Sequence, residues 1–310
     1  MERNEIEAFV AIARLGAFTR AATALHLSQP AVSRRIELLE QELGAPLFER
    51  LRGGAVLTEA GHTFLPFAET VLASLHDGVE AVRALAQEDR GTITLALVGT
   101  LASTVLTDSL RRFRDAHPKV RLLLRTAKSD EVSALVRRGE ATLGLRYFGD
   151  PHPDLICHPI HAEAMVVVCS SRHPLATART LDPQALAGEP WVTFPMRPDP
   201  SADSIGRALE RQLAACGLGG AEIVVIDGLT AQKRLIEAGF GLGLLPESSV
   251  QEELRLETLK ALKIPAMRLT IPVTMVHRRR AYLSGAARRL MAVLVQSKGK
   301  SRARPARHRP

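Results

Sequence analysis

Residues 19–44 hold two helix starts and one helix stop, and that punctuation constrains the chain more than any other feature. Ser28 can cap a helix, because its hydroxyl can accept from the free backbone N–H groups of the first turn. Pro30 falls in that turn, where a missing N–H costs nothing. Gly44 closes the helix in the left-handed conformation that glycine adopts without strain. Upstream, Thr19 is placed to cap a shorter helix. The run Arg20-Ala21-Ala22-Thr23-Ala24-Leu25 offers small side chains where a second helix must come close. His26 and Leu27 form the turn between the two.

The second helix has two faces. Ala31, Val32, Ile36, Leu39 and Leu43 fall on one side at helical spacing and are expected to point inward. Gln29, Ser33, Arg34 and Arg35, with Pro30 in the same turn, lie near the N-terminal end and point outward. Glutamine can pair in bidentate fashion with adenine, arginine with guanine, and serine with a base edge or a phosphate. A helix-turn-helix unit presents these N-terminal positions of its second helix to the major groove. The same pattern also suits a two-helix piece of an ordinary core with solvated arginines.

The flanking segments fit the first reading. Ile6, Phe9, Val10 and Ala13 give an apolar stripe on a supporting helix closed by Gly16. Residues 46–58 read as a hairpin whose turn is Gly53-Gly54, with Arg50 and Arg52 placed to meet the DNA backbone as a wing. Thr58 then caps a long helix over about residues 59–88. Leu65, Ala68, Leu72, Leu75, Val79, Val82 and Ala86 recur at alternating spacings of three and four, a heptad seam. A second copy of the chain is the simplest partner, and packing on the chain's own later domain is the alternative. Pro66 removes one backbone bond early in this helix and is a candidate kink.

Net charge says less than it first suggests. The chain carries +8 over 310 residues, but residues 298–310 hold six Lys/Arg and no acid. Residues 1–60 hold seven Lys/Arg against eight Asp/Glu. The case for DNA therefore rests on where the arginines sit. The tail over residues 297–310 reads as a basic disordered end that can add attraction to phosphate. No apolar run approaches the roughly 18 residues of a membrane helix, and Met1-Glu2-Arg3-Asn4-Glu5 does not open like a signal peptide, so a cytoplasmic protein is expected. Cys157, Cys169 and Cys216 have no metal-ligand spacing and read as reduced thiols. No nucleophile elbow, P-loop or dinucleotide fingerprint occurs, and Cys169 with His173, or Cys157 with His158, lacks an orienting partner. Neither enzyme activity, a metal nor a cofactor is expected.

After a polar hinge near residues 87–91 the texture changes to strands alternating with helices, the mark of a largely parallel α/β sheet. Strands are expected at residues 92–98, 120–124, 143–145, 164–169, 191–194, 223–226, 243–245 and 269–276. Helices are expected from 99, 129, 204, 230 and 284. Gly99-Thr100-Leu101-Ala102-Ser103-Thr104 follows a strand and opens a helix, so its hydroxyls and N–H groups suit a carboxylate. Arg146, at a strand end, is expected either to meet an acidic ligand or to be a solvated surface arginine.

These residues resemble the LysR-type transcriptional regulators. The match is dense over Phe9-Val10-Ala11-Ile12-Ala13, Gly16-Ala17-Phe18-Thr19, Leu25-His26-Leu27-Ser28-Gln29-Pro30-Ala31-Val32-Ser33, Leu47-Phe48-Glu49-Arg50 and Leu57-Thr58-Glu59-Ala60-Gly61, and looser to about residue 295. The resemblance implies a winged helix-turn-helix over 1–58 and a dimerising linker helix over 59–89, with Leu65, Leu72, Leu75, Val79 and Val82 at the dimer contact. It also implies an effector-binding region over 90–296, built of two α/β lobes like those of periplasmic binding proteins. One lobe would hold 90–161 with 269–296, and the other 162–268. Thr100 and Thr126 match cleft positions, and Phe194 to Ser201 match the loop bordering the cleft from the other lobe. Thr142-Leu143-Gly144-Leu145-Arg146 departs from the family's pattern of an acid followed by small and aliphatic residues. The implied partners are promoter DNA, a small-molecule effector, a carboxylate being one candidate, and further copies of the chain, up to a homotetramer that bends DNA. The rival readings are a ligand-independent architectural DNA-binding protein and a solute carrier.

Overall fold

The structure is a computed structural model that describes residues 1–86, 91–102, 104–196 and 203–296. The N-terminal unit contains α1 (Arg3–Leu15), α2 (Phe18–Ala24), α3 (Gln29–Leu43), β1 (Phe48–Leu51) and β2 (Gly54–Leu57). Ser28 caps α3 as its sequence indicates, with its hydroxyl accepting from the Ala31 N–H at 3.3 Å. Gly44 ends α3 at φ 72°, and Gly16 ends α1 at φ 66°. His26 takes φ 55° in the turn. Two assignments change. Thr19 lies inside α2, whose N-cap is Ala17 without a side-chain bond, because the helix begins two residues earlier to bury Phe18. Leu43 is 40% exposed, because α3 runs past the core that buries Val32, Ile36 and Leu39.

The aromatic ring of Phe9 ties this unit together, lying 5.3 Å from Phe48 of β1 and 5.2 Å from Phe64 of the following helix. The hairpin turn is Arg52-Gly53, with Gly53 at φ 101°. Gly54 sits in β2 instead, where a Cβ would stand 2.7 Å from the Gly16 carbonyl oxygen. That oxygen accepts from the Ala55 N–H at 2.8 Å, so the strand needs glycine for a close backbone approach.

Thr58 caps α4 (Glu59–Ala86) through the Gly61 N–H at 3.0 Å, and its own hydroxyl donates to the Pro46 carbonyl at 2.7 Å. The heptad seam divides between two tasks. Ala68 is buried in the N-terminal core, and Leu65 and Leu72 pack against the same cluster. Leu65 and Leu72 therefore face inward within their own chain. Leu75, Val79 and Val82 are exposed at 46%, 47% and 67%, in line with Phe67 and Val71.

The second part begins with β3 (Gly91–Leu97), a 3-10 turn at Gly99–Leu101, α5 (Thr104–Ala116), β4 (Val120–Thr126), α6 (Ser129–Arg137) and β5 (Leu143–Tyr147). It continues with β6 (Leu155–Ser170), β7 (Trp191–Thr193), α7 (Ile205–Ala215), β8 (Ile223–Val225), α8 (Leu229–Glu237) and β9 (Gly243–Pro246). It closes with α9 (Gln251–Arg255), β10 (Leu259–Leu262), β11 (Leu269–Arg278) and α10 (Gly285–Gln296). Among the described residues, one sheet runs β10-β6-β11-β5-β3-β4, with β9 also on β6. The pairs β3–β4 and β3–β5 are parallel, and the pairs involving β6 and β11 are antiparallel. The chain was expected to cross between lobes near His161 and again near Arg268, and both positions fall on or beside long strands: His161 lies within β6, and Arg268 directly precedes β11. β6 runs unbroken past His161 and pairs along β11, with a register shift between Val273 and Thr274. This shift leaves Ile160 as the extra residue of a bulge.

Gly61 supplies a test of the junction between α4 and the hairpin. A Cβ there would land on the Leu47 carbonyl oxygen and within 2.9 Å of the Leu57 side chain. Alanine improves helix propensity by about 1 kcal/mol, but the overpacking costs about 1–3 kcal/mol and involves backbone that cannot swing aside. Gly61→Ala is expected to lower stability, read as a lower urea midpoint by circular dichroism.

Candidate DNA-reading face and ligand cleft

The N-terminal end of α3 projects from the protein. Gln29, Pro30 and Arg34 are exposed, and Ser33 and Arg35 are half-buried. The Gln29 amide reaches the Ser33 hydroxyl at 3.5 Å, which pre-sets both side chains. Among the described residues, Arg34 is held only by Glu37, one helical turn on, at 3.3 Å with both side chains well exposed. Surface pairs of this kind contribute little, so Arg34 is free to exchange partners. Arg35 bends back and donates to the Asn4 carbonyl at 3.4 Å, nearer the edge of the face than its centre. Arg52 is exposed at the hairpin turn; Arg50 lies in β1, and its side chain falls outside the described residues.

The second site is a cleft of about 1080 Å³ in the α/β part. One wall comes from the carboxyl ends of β3, β4 and β5, through Thr100, Thr126, Tyr147 and the start of α6 at Lys128 to Glu131. The opposite wall comes from Phe194 to Met196, Asp203 and Ser204 before α7, and Asp227 to Ala231 at the start of α8. Openings of this kind at the carboxyl ends of strands are where α/β folds hold small molecules. α6 and α8 both begin here, without a side-chain bond to their N-caps Lys128 and Gly228. Their free N–H groups and dipoles favour a negative group. Among the described lining residues Asp130, Glu131, Asp203 and Asp227 face one cation, Lys128, which stands 3.6 Å from Asp227 across the cleft. Asp203 is paired with Arg211 at 2.8 Å.

Of the positions expected at the ligand, Thr100, Thr126 and Phe194 line this cleft. Ser103 and Ser201 lie outside the described residues, as does the basic tail at 297–310. Arg146 is a correction: it is 1% exposed, and neither meets the cleft nor lies solvated at the surface. It forms an ion pair with Asp150 and donates to the Ser133 hydroxyl at 2.8 Å and to the Tyr147 carbonyl at 3.3 Å. Successive side chains of a strand point to opposite faces. Tyr147, the next residue, is therefore the one that reaches the cleft, where its hydroxyl meets the Thr100 hydroxyl at 3.0 Å. Burial pushes the Tyr147 phenol well above its ordinary value, so it acts there as a neutral hydrogen-bonding group.

Sequence reading passed over Tyr147, Lys128 and Asp227. The last two sit in loops that follow strands at the strands' carboxyl ends, and that placement is the signal that could have found them. Cys169 and His173 are each otherwise engaged. Burial pushes the Cys169 thiol up to about 11, and His173 contacts Glu189 at 3.1 Å while its other ring nitrogen caps Leu175.

Comparison with known proteins agrees with this division. Residues 3–62 match the family described as "Bacterial regulatory helix-turn-helix protein, lysR family", and residues 86–298 match "LysR substrate binding domain". The chain belongs to the LysR family of transcriptional regulators, DNA-binding proteins with an effector-binding domain. It is 31% identical over 253 residues to the HTH-type transcriptional regulator CfxR of Cupriavidus necator, covering 81% of this chain and 78% of that one. It is 29% identical to the probable cat1 operon transcriptional activator of Acinetobacter lwoffii, covering 90% of each. Among solved structures, the LysR family regulator CbnR superposes with a TM-score of 0.69 at 25% identity, over 97% of this chain and 100% of that one. Full-length CbnR bound to its target DNA gives 0.66. These relatives are regulators, not enzymes.

The buried pair generates a stability test. Removing Arg146 leaves Asp150 charged and enclosed, a loss of about 3–5 kcal/mol for a pair of this type. Arg146→Met is expected to lower the urea midpoint accordingly. Burial pushes the Asp150 carboxyl up, but the Ser133 hydroxyl, the His152 N–H and the Arg146 charge outweigh it and hold it below its ordinary value. A carboxyl depressed on folding stabilises the protein above its unfolded value, and this stabilisation is lost as pH falls through the folded value. Asp150→Asn should therefore flatten the acid limb of a stability-against-pH curve.

Proposed function

We propose that this regulator reads promoter DNA with Gln29, Pro30, Ser33 and Arg34 in the major groove, and with Arg35, Arg50 and Arg52 toward the backbone. The observation that carries this reading is the N-terminal turn of α3, which projects outward with its donors held only by weak, solvent-exposed contacts among the described residues, while the rest of the helix is anchored by Val32, Ile36 and Leu39. The exposed row Phe67, Val71, Leu75, Val79 and Val82 on α4 supports self-association. Two copies paired there present two reading helices to a two-fold site with half-sites about one helical turn, or a multiple of it, apart. Association of two such pairs gives the tetramer that the family resemblance implies. Its place of action is the cytoplasm, where promoter DNA is found; no described helix is long and apolar enough to cross a membrane.

The effector we infer is a small molecule seated between the two walls of the cleft. The uncapped starts of α6 and α8 favour a single anionic group, such as one carboxylate. The carboxylates of the lining oppose a densely negative ligand. Such a molecule shifts the DNA-bound state only by its differential affinity for two arrangements of the protein.

Footprinting at fixed salt on DNA upstream of the protein's own coding region tests the reading. Protection of a two-fold symmetric site is the expected result, and uniform weak binding would overturn it. Arg34→Ala should weaken the specific site by about 1–3 kcal/mol if Arg34 reads a base; equal loss on random DNA would make it a phosphate contact. Val79→Asp should shift the mass measured by light scattering toward the monomer and weaken the footprint with it.

A further inference from the structure

One short helix touches both the cleft and the DNA-reading unit. α6 begins in the cleft wall at Lys128 to Glu131 and is nine residues long, or about 13 Å at the rise of an α-helix. Its far end lies against α1 and α4. Arg138 faces Glu69 at 4.0 Å, and Glu140 receives Arg14 of α1 at 2.7 Å. Gly139 takes φ 71° and meets α4 so closely that a Cβ would stand 3.1 Å from the Ala73 Cβ. Beside this end, Arg278 of β11 donates to Asp77 of α4 at 2.7 Å, and the Tyr282 N–H reaches the other Asp77 oxygen at 3.3 Å. The Arg278 and Asp77 side chains are only 12% and 17% exposed. Burial pushes the Glu140 carboxyl up, but the Arg138 hydrogen bond and the Arg14 and Arg138 charges outweigh it and keep it charged. Midway along α6, Ser133 accepts from the buried Arg146.

We propose that α6 is a lever between cleft and DNA-reading unit, pivoting where Arg146 holds Ser133, and that its C-terminal end forms with Arg278 a releasable clamp on α1 and α4. A helix this short passes a displacement of its first turn to its last. Packed helices shift by sliding about 1–2 Å, enough to break charge contacts made at 2.7 to 4.0 Å. The inference rests on the cleft being the effector site.

The test closes the cleft without needing the effector. In the full chain with Cys157 and Cys216 replaced by serine, Lys128→Cys and Asp227→Cys are joined by a short bismaleimide. Amide hydrogen exchange over residues 69–82 and the promoter footprint are then compared before and after joining. The expected result is a change in exchange of about tenfold, within the range found for coupled sites, together with an altered footprint. Both responses should vanish when Asp77→Asn and Glu140→Gln, near-isosteric changes that keep a hydrogen-bond acceptor at each position, are added. An altered footprint with exchange at 69–82 unmoved, or undiminished by those two changes, overturns the lever while leaving the cleft as the control site. Changed exchange with an unaltered footprint keeps the lever and sinks the cleft's control of DNA binding. No change in either overturns the proposal.

Discussion

The ladder between β6 and β11 is the constraint on which the α/β part depends. Ten residues of β11 pair with β6, and β5, β9 and β10 add to these two strands. β5, on one wall, pairs directly with this spine, whereas β7 and β8 of the opposite wall form their own two-stranded sheet, joined through a bridge between Trp191 and Leu242 just before β9. The spine is irregular at the bulge that leaves Ile160 unpaired beside Val273 and Thr274. Such a bulge bends and twists a strand without ending it. The mouth of the cleft lies where helices begin, at the starts of α6, α7 and α8.

The N-terminal unit was legible because its signals are local. Ser28, Pro30 and Gly44 act on the backbone within a few residues of themselves, so the helix they delimit follows from sequence alone. Thr19 misled because an equally local requirement, the burial of Phe18, starts α2 earlier. Arg146 misled for a different reason. A cation at a strand end reads as a surface group, and its partners Ser133 and Asp150 sit on a helix and a loop whose approach no nearby spacing predicts. The strand's alternation was the usable clue: if Arg146 turns one way, Tyr147 turns the other, toward Thr100.

The long helix shows a second limit. A heptad seam states that one face of α4 is covered, and it is silent about what covers it. In the fold the seam is shared. Leu65, Ala68 and Leu72 complete the N-terminal core, while Leu75, Val79 and Val82 remain outside. A third face, invisible to apolar periodicity because it is built from Glu69, Ala73 and Asp77, carries the charge contacts to the α/β part. One helix thus presents three differently composed surfaces, of which the sequence pattern announced one.

The backbone bond from Ala55 to the Gly16 carbonyl has a consequence for how such a protein can diversify. The hairpin is aimed by main-chain atoms and by the absence of a side chain at Gly54, not by the residues at its tip. The chemistry displayed at the turn is therefore decoupled from the orientation of the hairpin. If the hairpin meets DNA as proposed, a substitution at Arg52 in its turn would change the contact without re-aiming the hairpin, so one rigid mount could serve a succession of operators as the tip drifts.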